Sequence, residues 1–138
     1  MHIISKDGMG YLHKEWSVVF DSMNDIGHTG FKLLYAVTSY ELLENVRIKL
    51  QKINKSDGML EVSKEHFLEM DRRTLTDLFT NTDWVLFGTF KKMRISLSYK
   101  SDGKIILGVP LEITEKKEEQ LNRMLLDIQF KLNSKKGL

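Results

Sequence analysis

The sequence predicts an α+β protein, a single domain in which helices pack with a three-stranded antiparallel meander and a long C-terminal helix closes the fold. Three observations carry that expectation. WVLFGTF, MRISLSY and KIILGV, residues 84–90, 93–99 and 104–109, are β-branched and aromatic runs, separated by Lys91-Lys92 and by Ser101-Asp102-Gly103. That is the spacing of consecutive hairpins. Residues 114–133 open on Thr114 and the acidic Glu115, Glu118 and Glu119, then repeat apolar residues at helical spacing. SKEHFLEM and DRRTLTDLF, residues 63–70 and 71–79, each begin on a residue that caps helices, Ser63 and Asp71.

Composition narrows the function classes. A chain of 138 residues with 41% hydrophobic content can bury one core, and nothing in it reads as a linker, so residues 1–138 form one domain. Lys+Arg 21 against Asp+Glu 19 leaves a net charge of +2, so any nucleic-acid site must be local. The absence of cysteine removes disulfide scaffolds, zinc fingers and thiolate nucleophiles, and makes a cytoplasmic home the expectation. The N-terminus lacks the basic flank and apolar core of a signal peptide, and no apolar run approaches the roughly 20 residues that span a bilayer.

Along the chain, His2-Ile3-Ile4 suggests an edge strand ended by a turn at Asp7-Gly8 and Gly10. Leu12, Trp16, Val19, Phe20, Met23 and Ile26 fall on one face of a helix. Gly27-His28-Thr29-Gly30 then reads as its break, glycines supplying positive φ angles. FKLLYAVTSYELLE, residues 31–44, leans to helix. Residues 45–53 stay open: Val46, Ile48 and Leu50 alternate as in a strand, while Leu42, Leu43, Val46, Leu50 and Ile53 also share a helical face. Lys55-Ser56-Asp57-Gly58 recurs as Lys100-Ser101-Asp102-Gly103, each followed by an apolar stretch and a capping hydroxyl, Ser63 or Thr114. This resembles a repeated turn, strand and helix unit. Pro110 closes the last strand.

In the final helix Leu121, Met124, Leu125, Ile128 and Leu132 form the main stripe. Leu126 and Phe130 lie nearly opposite, which suggests a homodimer contact. Enzyme chemistry finds no footing in the spacing: His2, His13, His28 and His66 are scattered, there is no HExxH or GxSxG, and GHTGFK lacks the phosphate-loop pattern. The expectation is a non-enzymatic protein with no cofactor and no metal. Trp84, Phe87 and Phe90 read as core residues of a strand rather than as base-stacking groups.

Helix, strand, SKEHFLEM, DRRTLTDLF and the hairpin of WVLFGTF with MRISLSY resemble the winged helix-turn-helix proteins over residues 12–99. MNDIGHTGFKLLYAV followed by that motif is similar in pattern to replication initiators of Gram-positive plasmids and phages. The resemblance implies double-stranded DNA as partner and a role in transcription or replication control. It would set Arg72, Arg73, Thr74 and Thr76 in the major groove, and bring Lys91, Lys92 and Arg94 of the hairpin to the backbone. The turn at Met70-Asp71 departs from that pattern, being about two residues shorter than usual. Acidic Glu61, Glu65, Glu69 and Asp77 lie close in sequence.

A second class fits the same order of elements. ILGVPLEITEKKEEQLNRMLLDI looks like the strand, proline and dimer-helix ending of secretion-chaperone-like domains, and immunity or inhibitor proteins of mobile elements share the size range. Such a module would bind a protein partner. These groups are commonly acidic, whereas this chain has a sequence pI near 8.7. A strand at residues 45–53 without a break at Asp71 is expected of the binding module.

Overall fold

The computed structural model describes residues 5–6, 10–18, 26–52, 58–71, 73–74, 82–100 and 102–134. The alternation read in residues 84–109 becomes three consecutive strands, β5 (Thr82–Phe90), β6 (Met93–Tyr99) and β7 (Ile105–Pro110). They pair as an antiparallel meander, as expected. It is the middle of a larger sheet. On one side β7 pairs with β2 (Tyr11–Glu15), which pairs with the two-residue β1 (Ser5–Lys6). On the other side β5 pairs with β3 (Leu43–Lys52), and β3 with the edge strand β4 (Met59–Ser63). The order is β1-β2-β7-β6-β5-β3-β4, antiparallel throughout.

Three helices are described with both ends, α1 (Ile26–Thr38), α2 (Lys64–Glu69) and α3 (Glu115–Asn133), and Arg73 and Thr74 are helical as well. The three helices form one layer, because α1 touches both α2 and α3. Beneath them Ile48, Leu50, Trp84, Leu86, Ile95, Leu97 and Leu107 of the strands meet Leu33, Leu34 and Val37 of α1, Phe67 of α2, and Leu121, Met124 and Ile128 of α3. Phe31 and Tyr35 of α1 and Phe67 of α2 add a triangle of tilted rings with centroids 6.3–6.4 Å apart.

The α+β class stands, but the winged-helix-like arrangement of helices with a three-stranded meander does not. Two local readings account for the difference. The helix expected from Leu12 to Ile26 does not form over its described part: Tyr11–Glu15 is β2, where Leu12 pairs with Val109 and His13 with Gly108, Trp16 is not helical, and Val19, Phe20 and Met23 lie outside the described residues. The ambiguous residues 45–53 resolve as strand from Leu43 to Lys52, so the helix leaned to over 31–44 stops at Thr38. In both places the apolar spacing fits either period, and pairing with a distant strand decides.

The Gly27–Gly30 segment does not break a helix; it lies in the first turns of α1. A Cβ on Gly30 would sit 2.6 Å from the Tyr99 ring, so the residue is required for close approach of helix to sheet. Tyr99 in turn stacks on its cross-strand neighbour Trp84, with centroids 5.6 Å apart and planes 16° off parallel. Burial raises the Tyr99 pKa, with Asp102 and Asp83 adding to the effect.

A bulge sets the phase of β3. Two residues, Asn45 and Val46, stand opposite Gly88, and Asn45 takes φ 53°. Leu43 and Val46 are three apart, so strict alternation would send one of them outward. The bulge turns both inward, together with Ile48 and Leu50.

Both repeated units are a hairpin followed by a capped helix. Ser63 Oγ accepts from His66 N at 3.2 Å to start α2, and Thr114 Oγ1 accepts from Lys117 N at 3.3 Å to start α3. The first Lys-Ser-Asp-Gly turn lies outside the described residues except for Gly58. In the second, Gly103 has φ 87° and its N–H donates to Lys100 O at 2.8 Å. The expected strand at residues 2–4 also lies outside the described residues.

The chain breaks between Met70 and Asp71. Met70 leaves the helix at φ −66°, ψ 139°, and Asp71 Oδ1 accepts from Thr74 N at 2.8 Å, capping the turn that holds Arg73 and Thr74. Leu75, Leu78 and Phe79, expected to face inward, lie outside the described residues.

Two outcomes follow from this packing. Gly30→Ala is expected to lower folding stability by about 1–2 kcal/mol in urea melts despite alanine's better helix propensity. Tyr99→Leu should then cost less in the Gly30→Ala background than in the wild type. The hydrogen bond from Thr74 N holds the Asp71 carboxyl below its ordinary pKa of 3.8. The contribution of this cap is therefore complete above the ordinary value and lost as pH falls through the depressed one. NMR titration should place Asp71 below a peptide aspartate, and an ordinary midpoint would remove the cap from the account.

Candidate functional site

The residues that the winged-helix resemblance singled out are divided by the sheet. Arg73 and Thr74 are exposed and follow α2. Arg72 and Thr76 lie outside the described residues. Lys91 and Lys92 form the two-residue turn between β5 and β6, both with positive φ, 47° and 67°. Such a turn favours Asn-Gly, and two lysines hold it at a steric cost. Lys117 of α3 donates its Nζ to Lys91 O, tying the turn to the start of that helix.

Arg94 belongs elsewhere. It alternates with buried Met93 and Ile95 and so stands on the face opposite the helices. The structure therefore brings Lys91, Lys92 and Arg94 to one end of the sheet, while Arg73 and Thr74 belong to the separate exposed segment that follows α2.

The helix-free face has a definite composition. Pairing aligns His13, Gly108, Ser96, Phe87, Arg47 and Ser63 in one row across six strands. Glu15, Ile106, Ser98, Val85, Lys49 and Glu61 form the next. Gly108 admits no side chain, since a Cβ there would overlap Ser96 Oγ. The floor beside Phe87 is thus low. Phe87 itself is 37% exposed, whereas Trp84 and Phe90 on the other phase of β5 are buried. Lys49 Nζ lies 5.4 Å from the Phe87 ring centroid. Arg47 stands beside that ring and contacts Glu61 at 3.6 Å.

A groove runs from Tyr11 past Arg94, Thr89 and Phe87 to Arg47 and Ser63, and ends against the first residues of α2, Lys64 and Glu65. A second depression, holding Lys92 and Lys117, joins it at Tyr11 and Arg94. Glu41, Glu44 and Glu65 also line the main groove, so its charge is mixed. The sequence reading missed this face, because the phase of Phe87 against Trp84 and Phe90 is a two-residue-period question that an almost wholly apolar run leaves open. Arg47 and Lys49, alternating with Val46, Ile48 and Leu50, were the legible part of it.

The outer side of α3 is the other open surface. Leu121, Met124, Leu125 and Ile128 are buried, while Leu126 and Phe130 remain 66% and 75% exposed. Ion pairs flank them: Arg123 with Glu119 at 3.1 Å, and Lys131 with Asp127 at 3.2 Å.

Among the described residues no group of three or more His, Asp or Glu is placed to hold a metal ion, and no helix is long and apolar enough to cross a membrane. Compared with protein-family models, curated proteins and solved structures, the chain finds no match in any of the three.

Proposed function

We propose that this protein is a non-enzymatic protein-binding module that pairs with a second copy of itself along α3. One observation carries the reading: Leu126 and Phe130, the most exposed large apolar residues described, stand one turn apart on the same helix. Residues four apart face the same way, so the two make a single apolar step.

Its area, on the order of 200–300 Å² per protomer, is a fraction of the ~800 Å² each partner gives to a standard interface. That is the share of a dry centre with a polar rim. The rim carries both signs, Glu119 with Arg123 and Asp127 with Lys131. A balanced rim suits an isologous contact, in which each patch meets its own copy; a strongly acidic or basic partner would need a rim of one sign. The strand at Leu43–Lys52 is one of the two features expected of a binding module; the other, an unbroken helix at Asp71, is not met.

Sedimentation velocity over a wide range of concentrations tests the pairing. The wild type should show a mass rising toward the dimer, and Leu126→Ser/Phe130→Ser should remain monomeric with an unchanged far-UV circular dichroism spectrum. A wild type that stays monomeric throughout would remove the second copy as the occupant.

Duplex DNA is the second reading, supported by the break at Asp71 and by the grouping of Lys91, Lys92 and Arg94. The two turn lysines allow a clean test. Lys91→Asn/Lys92→Gly relieves the positive-φ cost and should raise stability by about 1 kcal/mol or more. If these lysines contact phosphates, the same variant should lower the salt slope for duplex binding by about 1.8. An unchanged slope would take the turn out of any duplex contact.

A further inference from the structure

We propose that the helix-free face of the sheet binds single-stranded nucleic acid, with Phe87 as the stacking platform and Arg47, Lys49 and Arg94 as the phosphate contacts. The site is independent of α3; Phe87, Arg47, Lys49 and Arg94 stand on the sheet face opposite the core, and the groove beside them reaches the start of α2 at Lys64 and Glu65.

Three features of the face favour this occupant. The first is a flat apolar ring, 37% exposed, on a face whose other apolar side chains in the aligned rows, Val85 and Ile106, are partly buried. Core packing does not require it there, because Trp84, Leu86 and Phe90 fill the helix-facing side of the same strand. A planar base gains from such a ring whatever its identity, since every base has a π-face.

The second is the placing of cations around that ring. Arg47 is its direct cross-strand neighbour, and Lys49 already holds its ammonium 5.4 Å from the ring centroid. Arg94 pairs with Thr89, two residues along β5. The lysine ammonium occupies one face of the ring. An incoming base would take the lysine's place there, and the long, flexible lysine stem would carry the charge to a phosphate alongside.

The third is the shape of the floor. Gly108, Ser96 and Ser98 keep it low between Phe87 and the β2 edge, where Tyr11 and His13 stand. Beside this floor the groove lined by Tyr11, Arg94, Thr89, Phe87 and Arg47 runs across the strands to Ser63, which at about 4.8 Å per strand is a path for several nucleotides. A duplex is too broad to lay its bases on one ring. An acidic peptide would use the cations and leave Phe87 without a role.

Carboxylates limit the electrostatic share. Glu61 contacts Arg47 at 3.6 Å, and Glu41, Glu44 and Glu65 line the same groove. Stacking must then supply much of the binding, and three phosphate contacts predict a salt slope of only about 2.

The test is fluorescence anisotropy with labelled mixed-sequence oligonucleotides of roughly ten nucleotides, a length in the range one such surface covers. Single-stranded DNA and RNA, a duplex of the same composition and a labelled oligoglutamate are compared at about 50 mM salt. The wild type should bind a single strand at least tenfold more tightly than the duplex or the oligoglutamate. Phe87→Ala should weaken that binding by about 5- to 150-fold, the effect of losing one stacked base, while Phe87→Trp retains it. Arg47→Ala/Arg94→Ala should lower the salt slope by about 1.4. Leu126→Ser/Phe130→Ser should bind as the wild type does, which separates this site from the α3 pairing. Circular dichroism checks that each variant is folded. The proposal is overturned if the folded wild type binds no single strand, if Phe87→Ala binds as well as the wild type, or if duplex or oligoglutamate binds equally.

Discussion

The fold depends on how closely α1 lies on the sheet. Gly30 lets the helix backbone come down on the Tyr99 ring, and that ring is pressed flat on Trp84 of the neighbouring strand. Any larger residue at position 30 would hold α1 away from the strands. α1 is also the member of the helical layer that touches both of the others, α2 through the Phe31, Tyr35 and Phe67 rings, and α3. Lifting it would loosen the whole cover of the core. The stack has a polar cost: Trp84 Nε1 is buried without a hydrogen-bond acceptor among the described residues. Burial of so large a ring against Tyr99 outweighs that cost of about 1–3 kcal/mol.

One-sided cover has a consequence for function. With α1, α2 and α3 on one face, the sheet presents its other face directly to solvent, and the outward side of α3 becomes the far surface of the molecule. Each surface has a distinct chemistry. The α3 surface is two apolar side chains within balanced ion pairs, suited to a like surface. The sheet surface is one exposed aromatic ring among arginines, lysines, serines, glutamates and a glycine, with Val85 and Ile106 partly buried beside it. The bulge at Asn45 connects the two sides. It turns Leu43 and Val46 into the core, and the same shift of phase turns Arg47 and Lys49 outward beside Phe87.

Particular residues show how far local reading reaches. β5, β6 and β7 were legible because β-branched and aromatic runs flanked by turns have no competing helical spacing. α3 was legible because its caps, its charge gradient and its stripe agree. β2 was not, since Leu12 and Trp16 match a helical step and nothing in residues 11–15 reveals that Gly108 of β7 waits across from His13. Gly30 was read as a break for the same reason: a glycine that permits a turn and one that permits close packing are the same residue in sequence. Residues 45–53 carried both periods, and only the presence of β5 and β4 on either side selects the strand.

The chain's composition and periodicity were enough to establish an α+β protein, its central meander, its capped C-terminal helix and the exposed pair Leu126 and Phe130, because these follow from interactions between residues close in sequence. The sheet's full width, the seating of α1 and the gathering of Arg47, Lys49, Phe87 and Arg94 on one face were decided by tertiary structure. Strand pairing joins residues tens of positions apart, and a shift of one residue in register moves every side chain of a strand to the opposite face.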